Sequence, residues 1–229
     1  MLPLKDNVPT RSFPVVTVAL IAANAAVWIF YQLPDLNGSV TELAYQPCEV
    51  TSSCPAGAAV GEGWEVTWLT SMFMHGSWLH IIFNMLFLWV FGNNVEDALG
   101  KVRFLIFYLL AGIAATALQT VVTLWVGSDT DAAIPNLGAS GAVSGVLGAY
   151  LVLLPNASVL TLVFFFLIEL PAFLFLGFWF IFQLWEGGFS VAMPQAGGGV
   201  AFFAHIGGFV FGAVTVRLFM TRPPLQPAY

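Results

Sequence analysis

Six apolar runs recur along this chain, at Pro14–Leu33, a shorter one at Trp78–Phe91, then Val102–Val126, Leu137–Leu154, Val159–Trp185 and Val200–Met220. A run of about 18 or more such residues is long enough to cross the hydrocarbon core of a bilayer as one helix. Only 8% of the 229 residues are charged and the mean hydropathy is +0.89, whereas soluble domains carry roughly a quarter charged residues. The expectation is a polytopic, all-α membrane protein. The first run lacks a small-residue cleavage site and five more follow it, so it reads as a span and not as a signal peptide. The net charge of −6 says little about nucleic acid, but the sequence has no basic patch to bind it, and nucleic acid is not an expected partner.

The basic residues set the topology. Lys5 and Arg11 precede the first run, Lys101 and Arg103 lie between the second and third, and Arg217 and Arg222 close the last. With six spans all of them fall on one side, which the positive-inside rule makes cytoplasmic. Splitting Val159–Trp185 into a hairpin of two spans would strand Arg217 and Arg222 outside, so that run is read as one span. Both termini are then cytoplasmic. This gives an N-terminal segment 1–13, a six-helix bundle 14–220 with an outer loop 34–77, and a disordered tail 221–229. Asp35, Glu42, Glu49, Glu62, Glu65, Asp129, Asp131 and Glu186 all fall in outer segments, although acidic charge has little topogenic force. Cys48 and Cys54 share the first outer loop, where they are either a disulfide or two free thiols. Duplicated halves of the transporter kind are not evident.

Polar groups inside a membrane are costly and usually functional. Those singled out are His80 and Asn84 in span 2, Ser140 and Ser144 in span 4, Glu169 in span 5 and His205 in span 6. Spans 2, 4 and 6 all enter from outside, so His80, Ser140 and His205 sit roughly 5–10 Å along their helices from the outer ends. Glu169 lies about sixteen residues, or some 24 Å, below the outer end of its span, and is expected near the inner interface or at a helix junction with Pro171.

Gly138, Gly141, Gly145 and Gly148 recur at one-face helical spacing, and Gly208 and Gly212 form a G-x-x-x-G in span 6. Small residues let membrane helices approach backbone to backbone, and only such an approach brings a short serine side chain to His205. Ser140 is then either a nucleophile activated by the histidine or a packing serine back-bonded to its own helix, and Ser144 fits the second role. The first turn of span 4 offers unpaired N–H groups, and His80 and Asn84, four apart on one face, add side-chain donors for an oxyanion. Zinc is disfavoured: five-residue spacing on a helix points His75 and His80 about 140° apart, and H-E-x-x-H is absent. A transporter would carry several mid-membrane charges and broken helices. Neither a metal nor a cofactor is expected.

"GASG" at Gly138–Gly141, "AHIGG" at Ala204–Gly208 followed by Gly212, and "HGSWLHIIFN" at His75–Asn84 resemble the rhomboid intramembrane serine proteases, over roughly Trp64 to Phe219. The resemblance implies a six-helix bundle that cleaves transmembrane protein substrates within the lipid bilayer, near its outer face. It implies Ser140 as nucleophile, His205 as general base, and His80, Asn84 and the Ser140 N–H as oxyanion donors. Span 5 and the glycine-rich loop Glu186–Gly199 would gate access. The expected location is the bacterial or archaeal plasma membrane, with the site opening outward. Two positions depart from the family. Val66 and Thr67 stand where many members carry Trp-Arg, a pair that steadies the first loop; Ser144 stands where some carry a tyrosine stacked on the histidine. Within the same fold the alternative is a catalytically silent membrane chaperone or scaffold, which usually lacks the serine or the histidine.

Overall fold

The computed structural model describes residues 1–55, 58, 61–192 and 201–227. Its frame is a bundle of apolar helices: α1 (Val15–Gln32, its last turns π-helical), α2 (Trp78–Leu99), α3 (Lys101–Val126), α4 (Ser140–Leu153), α5 (Ala172–Ala192) and α6 (Phe202–Phe219). Five of them are long and apolar enough to cross a membrane; α4, with 14 residues, is shorter. At 1.5 Å per residue α4 spans about 21 Å against about 39 Å for α3. Its first residue is Ser140, so the serine begins the helix and the expected start at Leu137 is corrected. Leu137–Ala139 instead lead into the helix, with Ala139 directly before its first residue.

Local chemistry fixes the ends. The Ser77 hydroxyl caps α2 by accepting the His80 N–H at 3.2 Å. Gly100, at φ +79°, reverses the chain between α2 and α3. The expected end of span 2 at Phe91 is also corrected. The helix runs on through Asn94, Glu96 and Asp97 because their polar groups are bonded inside the protein. The Glu96 carboxylate accepts the Val16 and Thr17 N–H groups at 3.1 and 2.7 Å, neutralising the N-terminus of α1. Asp97 pairs with Arg11 at 2.6 Å and Arg222 at 3.0 Å.

The all-α expectation misses a three-stranded antiparallel sheet in the order β1 (Leu2–Asp6), β2 (Ser158–Val163), β3 (Phe166–Pro171). The single span expected at Val159–Trp185 is therefore a β-hairpin followed by α5, which begins at Ala172. Hydropathy alone cannot separate a buried strand from a helix; alternate burial of Val159 and Thr161 gives the strand away. Glu169 lies in β3, where its carboxylate accepts the Ser158 hydroxyl at 2.9 Å. Asp6 ties β1 to the bundle through Asn94 Nδ2 at 2.6 Å and Tyr150 Oη at 2.5 Å. The tail expected to be disordered is pinned at its start, where Arg222 holds Asp97 and Pro223 accepts from Arg11.

Helix direction gives the bundle two chemically distinct ends. The starts of α2, α4 and α6 meet at one end. At the other lie the end of α2, the start of α3, the end of α6 and the sheet, with Lys5, Arg11, Lys101, Arg103, Arg217 and Arg222. Between the ends a core of Leu88, Phe91, Phe107, Tyr150 and Phe175 is fully buried or nearly so.

Candidate active site

Helix α4 is walled by α3 and α6, and the glycines set the separation. A Cβ on Gly208 would fall on the Gly141 carbonyl, 3.0 Å from its carbon, and one on Gly212 would stand 2.6 Å from the Gly145 carbonyl carbon. Gly145 and Gly148 meet the backbone of α6 in return, and Gly141 abuts Ala115 of α3. The two backbones are in direct contact, as small-residue interfaces in membranes permit. Gly138 does not belong to this stripe. It precedes α4 at φ +126°, donates its N–H to the Ser71 carbonyl at 2.9 Å, and faces His80. Such a backbone conformation is open to glycine and strained for other residues.

This approach brings Ser140 Oγ to 2.8 Å from His205 Nε2. On the other side of the ring Nδ1 lies 2.8 Å from Gln183 Oε1, on α5. A carbonyl oxygen only accepts, so Nδ1 carries the proton and Nε2 is left to accept the serine hydroxyl. Trp179, one turn before Gln183, packs beside the imidazole with ring centroids 6.0 Å apart. The ring support lost with Ser144 is thus supplied by another helix. Ser144 back-bonds to the Ser140 carbonyl at 2.6 Å. Sequence reasoning passes over Gln183, although a lone amide in "WFIFQLW" is the same intramembrane signal that marks Ser140.

His80 approaches from α2. Its Nδ1 accepts the Gly76 N–H at 3.3 Å, which puts the proton on Nε2. A Cβ on Gly138 would stand 2.8 Å from that Nε2 and 3.5 Å from Ser140 Oγ. The missing side chain leaves a hollow at hydrogen-bond distance from His80 and beside the serine. Asn84 is buried one turn below, and its Nδ2 has no partner among the described residues. A cavity of about 140 Å³ joins Ser140 and His205 to Phe83, Asn84, Phe87 and Trp179. A smaller one of about 40 Å³, on the far side of Ser140, is lined by Ser71, Thr116, Gln119 and Asn136 among others. These polar side chains stand in an otherwise mostly apolar lining, and the space is large enough for water.

His75 lies outside the helix, so the 140° separation from His80 does not apply; their rings touch edge to face at 5.0 Å. Among the described residues no three His, Cys, Asp or Glu side chains gather as a metal site. Glu169 sits at the opposite end of the bundle from the serine. The loop between α1 and α2 is tied by a Cys48–Cys54 disulfide and by the Thr67 hydroxyl, which donates to Glu49 at 3.3 Å. Thr67 occupies one of the two positions that depart from the family pattern. Of the expected gating loop, Glu186–Ala192 continue α5, and 193–199 lie outside the described residues.

A family model of the Rhomboid domain matches residues 61–222. The chain belongs to the rhomboid family. It is 32% identical over 204 residues to Rhomboid protein 1, mitochondrial, of Saccharomyces cerevisiae, covering 86% of this chain and 51% of that protein. It is 30% identical over 141 residues to the putative rhomboid protease YdcA of Bacillus subtilis, covering 62% and 63%. The human presenilin-associated rhomboid-like protein, mitochondrial, is 30% identical over 198 residues, covering 84% and 45%. This rhomboid thus spans about half the length of the two mitochondrial relatives and somewhat under two thirds of YdcA. It is a multi-pass membrane protein whose matched region contains Ser140, His205, His80 and Asn84.

Proposed function

We propose that this rhomboid is an intramembrane serine endopeptidase that cleaves transmembrane protein substrates near one membrane face. The observation that carries the reading is the 2.8 Å contact between Ser140 Oγ and His205 Nε2. Ser140 Oγ attacks the scissile carbonyl while its proton passes to Nε2. The resulting oxyanion is met by the Ser140 N–H at the top of α4, by His80 Nε2–H and by Asn84 Nδ2. Collapse of the intermediate expels the amine, which takes the proton from His205 and leaves Ser140 acylated. A water, supplied from the small cavity beside Thr116 and Gln119, loses a proton to His205 and attacks the ester; as the bond to Ser140 Oγ breaks, Oγ takes that proton back and the acid is released.

Gln183 acts as a positioning residue, holding the imidazole in the tautomer that accepts from serine. A substrate segment enters beside Phe83, Phe87 and Trp179, which line the larger cavity. It must be unwound to expose its peptide bond, so helix-breaking residues near its end favour cleavage. The α1–α6 helices are read as six spans with both termini cytoplasmic, because all six basic residues gather at the end away from Ser140. The disulfide beside the site end supports an outward-opening site in a bacterial or archaeal plasma membrane.

The test is cleavage of a single-span substrate in liposomes by wild type, Ser140→Ala and His205→Ala at matched folding. Cleavage by wild type alone supports the reading. A silent wild type, or activity that survives both substitutions, overturns it.

A further inference from the structure

The β2–β3 hairpin ends in an unusual surface. Phe164, Phe165, Phe166 and Leu167 are 87, 95, 70 and 62% exposed, and Ile168 follows them on the edge strand. Successive strand residues point to opposite faces. Phe166 and Ile168 are therefore exposed on one face and Leu167 on the other. A flat protein partner covers one face of a strand, whereas lipid can surround a tip that is apolar on both. The hairpin also has a polarity gradient. Its base holds Ser158, Glu169 and, on the neighbouring strand, Lys5 and Asp6, whereas Phe164–Ile168 carry no charged side chain; the amino end of the neighbouring strand, with Leu2 opposite Leu162, lies beside them.

Two further observations identify the surrounding medium. Strand β3 runs without a break into α5, whose outward residues Phe173, Phe178, Ile181 and Phe182 belong to the apolar surface of the bundle. The hairpin is thus continuous with the membrane-facing wall. Lys5, Lys101 and Arg217 lie exposed at the same end of the bundle, where they complement anionic headgroups. Aromatic side chains with a charged flank are the signature of a segment seated at the headgroup–acyl boundary.

We infer that the Phe164–Ile168 tip inserts into the bilayer leaflet at the basic end of the bundle, as an interfacial anchor between α4 and α5. Each strand is about 20 Å long, so the anchor reaches beyond the helices. Through Pro171 and Ala172 it fixes the lower end of α5, the helix that carries Gln183 and Trp179.

The experiment uses the disulfide. With Cys48 and Cys54 bonded to each other, a single added cysteine takes a nitroxide label alone. Phe165→Cys, Leu167→Cys and Lys5→Cys variants, labelled in phosphatidylethanolamine–phosphatidylglycerol liposomes, are compared for collision with oxygen, which concentrates in acyl chains, and with a water-soluble nickel complex. The expected oxygen-to-nickel ratio is several-fold higher at 165 and 167 than at 5. A ratio at 165 and 167 no higher than at 5 overturns the anchor. So does protection from both reagents with spin–spin broadening at full labelling, which would assign the tip to a second copy of the chain.

Discussion

Substituting Gly208 by alanine tests whether backbone contact between α4 and α6 is what assembles the site. The new Cβ falls on the Gly141 carbonyl, 3.0 Å from its carbon. Carbon–oxygen contacts relax to about 3.3–3.6 Å, so the two helices must part by on the order of 1 Å. The Ser140–His205 contact then opens from 2.8 Å to roughly 3.8 Å, outside hydrogen-bond range. Loss of general-base assistance lowers turnover by about 10²- to 10⁴-fold, while overpacking costs about 1–3 kcal/mol of stability. The control is Gly177→Ala, at a position where an added Cβ meets nothing within 4 Å. Initial rates on a single-span substrate in liposomes, with thermal melting in parallel, read both effects. A wild-type rate for Gly208→Ala, or an equal fall for Gly177→Ala, would show that backbone contact between α4 and α6 does not assemble the site.

Three other outcomes follow from the same geometry. Gln183→Leu removes the acceptor on His205 Nδ1 and should lower kcat about tenfold or more with KM little changed, while Gln183→Glu, which keeps an acceptor oxygen there, should recover most of the rate; equal losses in both would make the residue merely structural. His75 is fully buried, and burial, then neighbouring His80, push its pKa down to about 3. Unfolding restores an ordinary value of about 6.5, so the unfolded chain binds a proton that the folded one refuses. This contribution to stability is complete above about pH 6.5 and is lost as the pH falls toward 3. By pH 5.5 the loss is about 1.4 kcal/mol, and His75→Phe should flatten melting between pH 7 and 5.5. Asp97→Ala leaves the partly exposed Arg11 and Arg222 without their shared carboxylate and should cost about 1.5 kcal/mol in lost charge-assisted hydrogen bonds, read by chemical denaturation in detergent; a cost below about 0.5 kcal/mol would show that the pairs act as fully exposed ones.

The nearness of Ser140 and His205 was legible because helix direction turns sequence position into depth. His80, Ser140 and His205 each follow shortly after the start of an apolar run, and alternating helix direction puts those starts at one level before any contact is known. The G-x-x-x-G pattern then gave the lateral approach. What hydropathy could not convey is the difference between apolar strand and apolar helix, and the hairpin at Ser158–Pro171 was lost for that reason. Nor could it show which polar residues end a span and which are bonded within it, as Glu96 is to the start of α1. Gln183 belongs to a third class. Its signal was present, but its role depends on α5 facing α6, a tertiary fact that no local pattern encodes.

The central claim is that Ser140 is a nucleophile activated by His205. Labelling with a fluorophosphonate, followed by mass spectrometry of the modified peptide, tests it most directly, in wild type, His205→Ala and Ser144→Ala. One adduct is expected, on Ser140, retained in Ser144→Ala and lost in His205→Ala. No adduct on the folded wild type, or one that persists without His205, would contradict it.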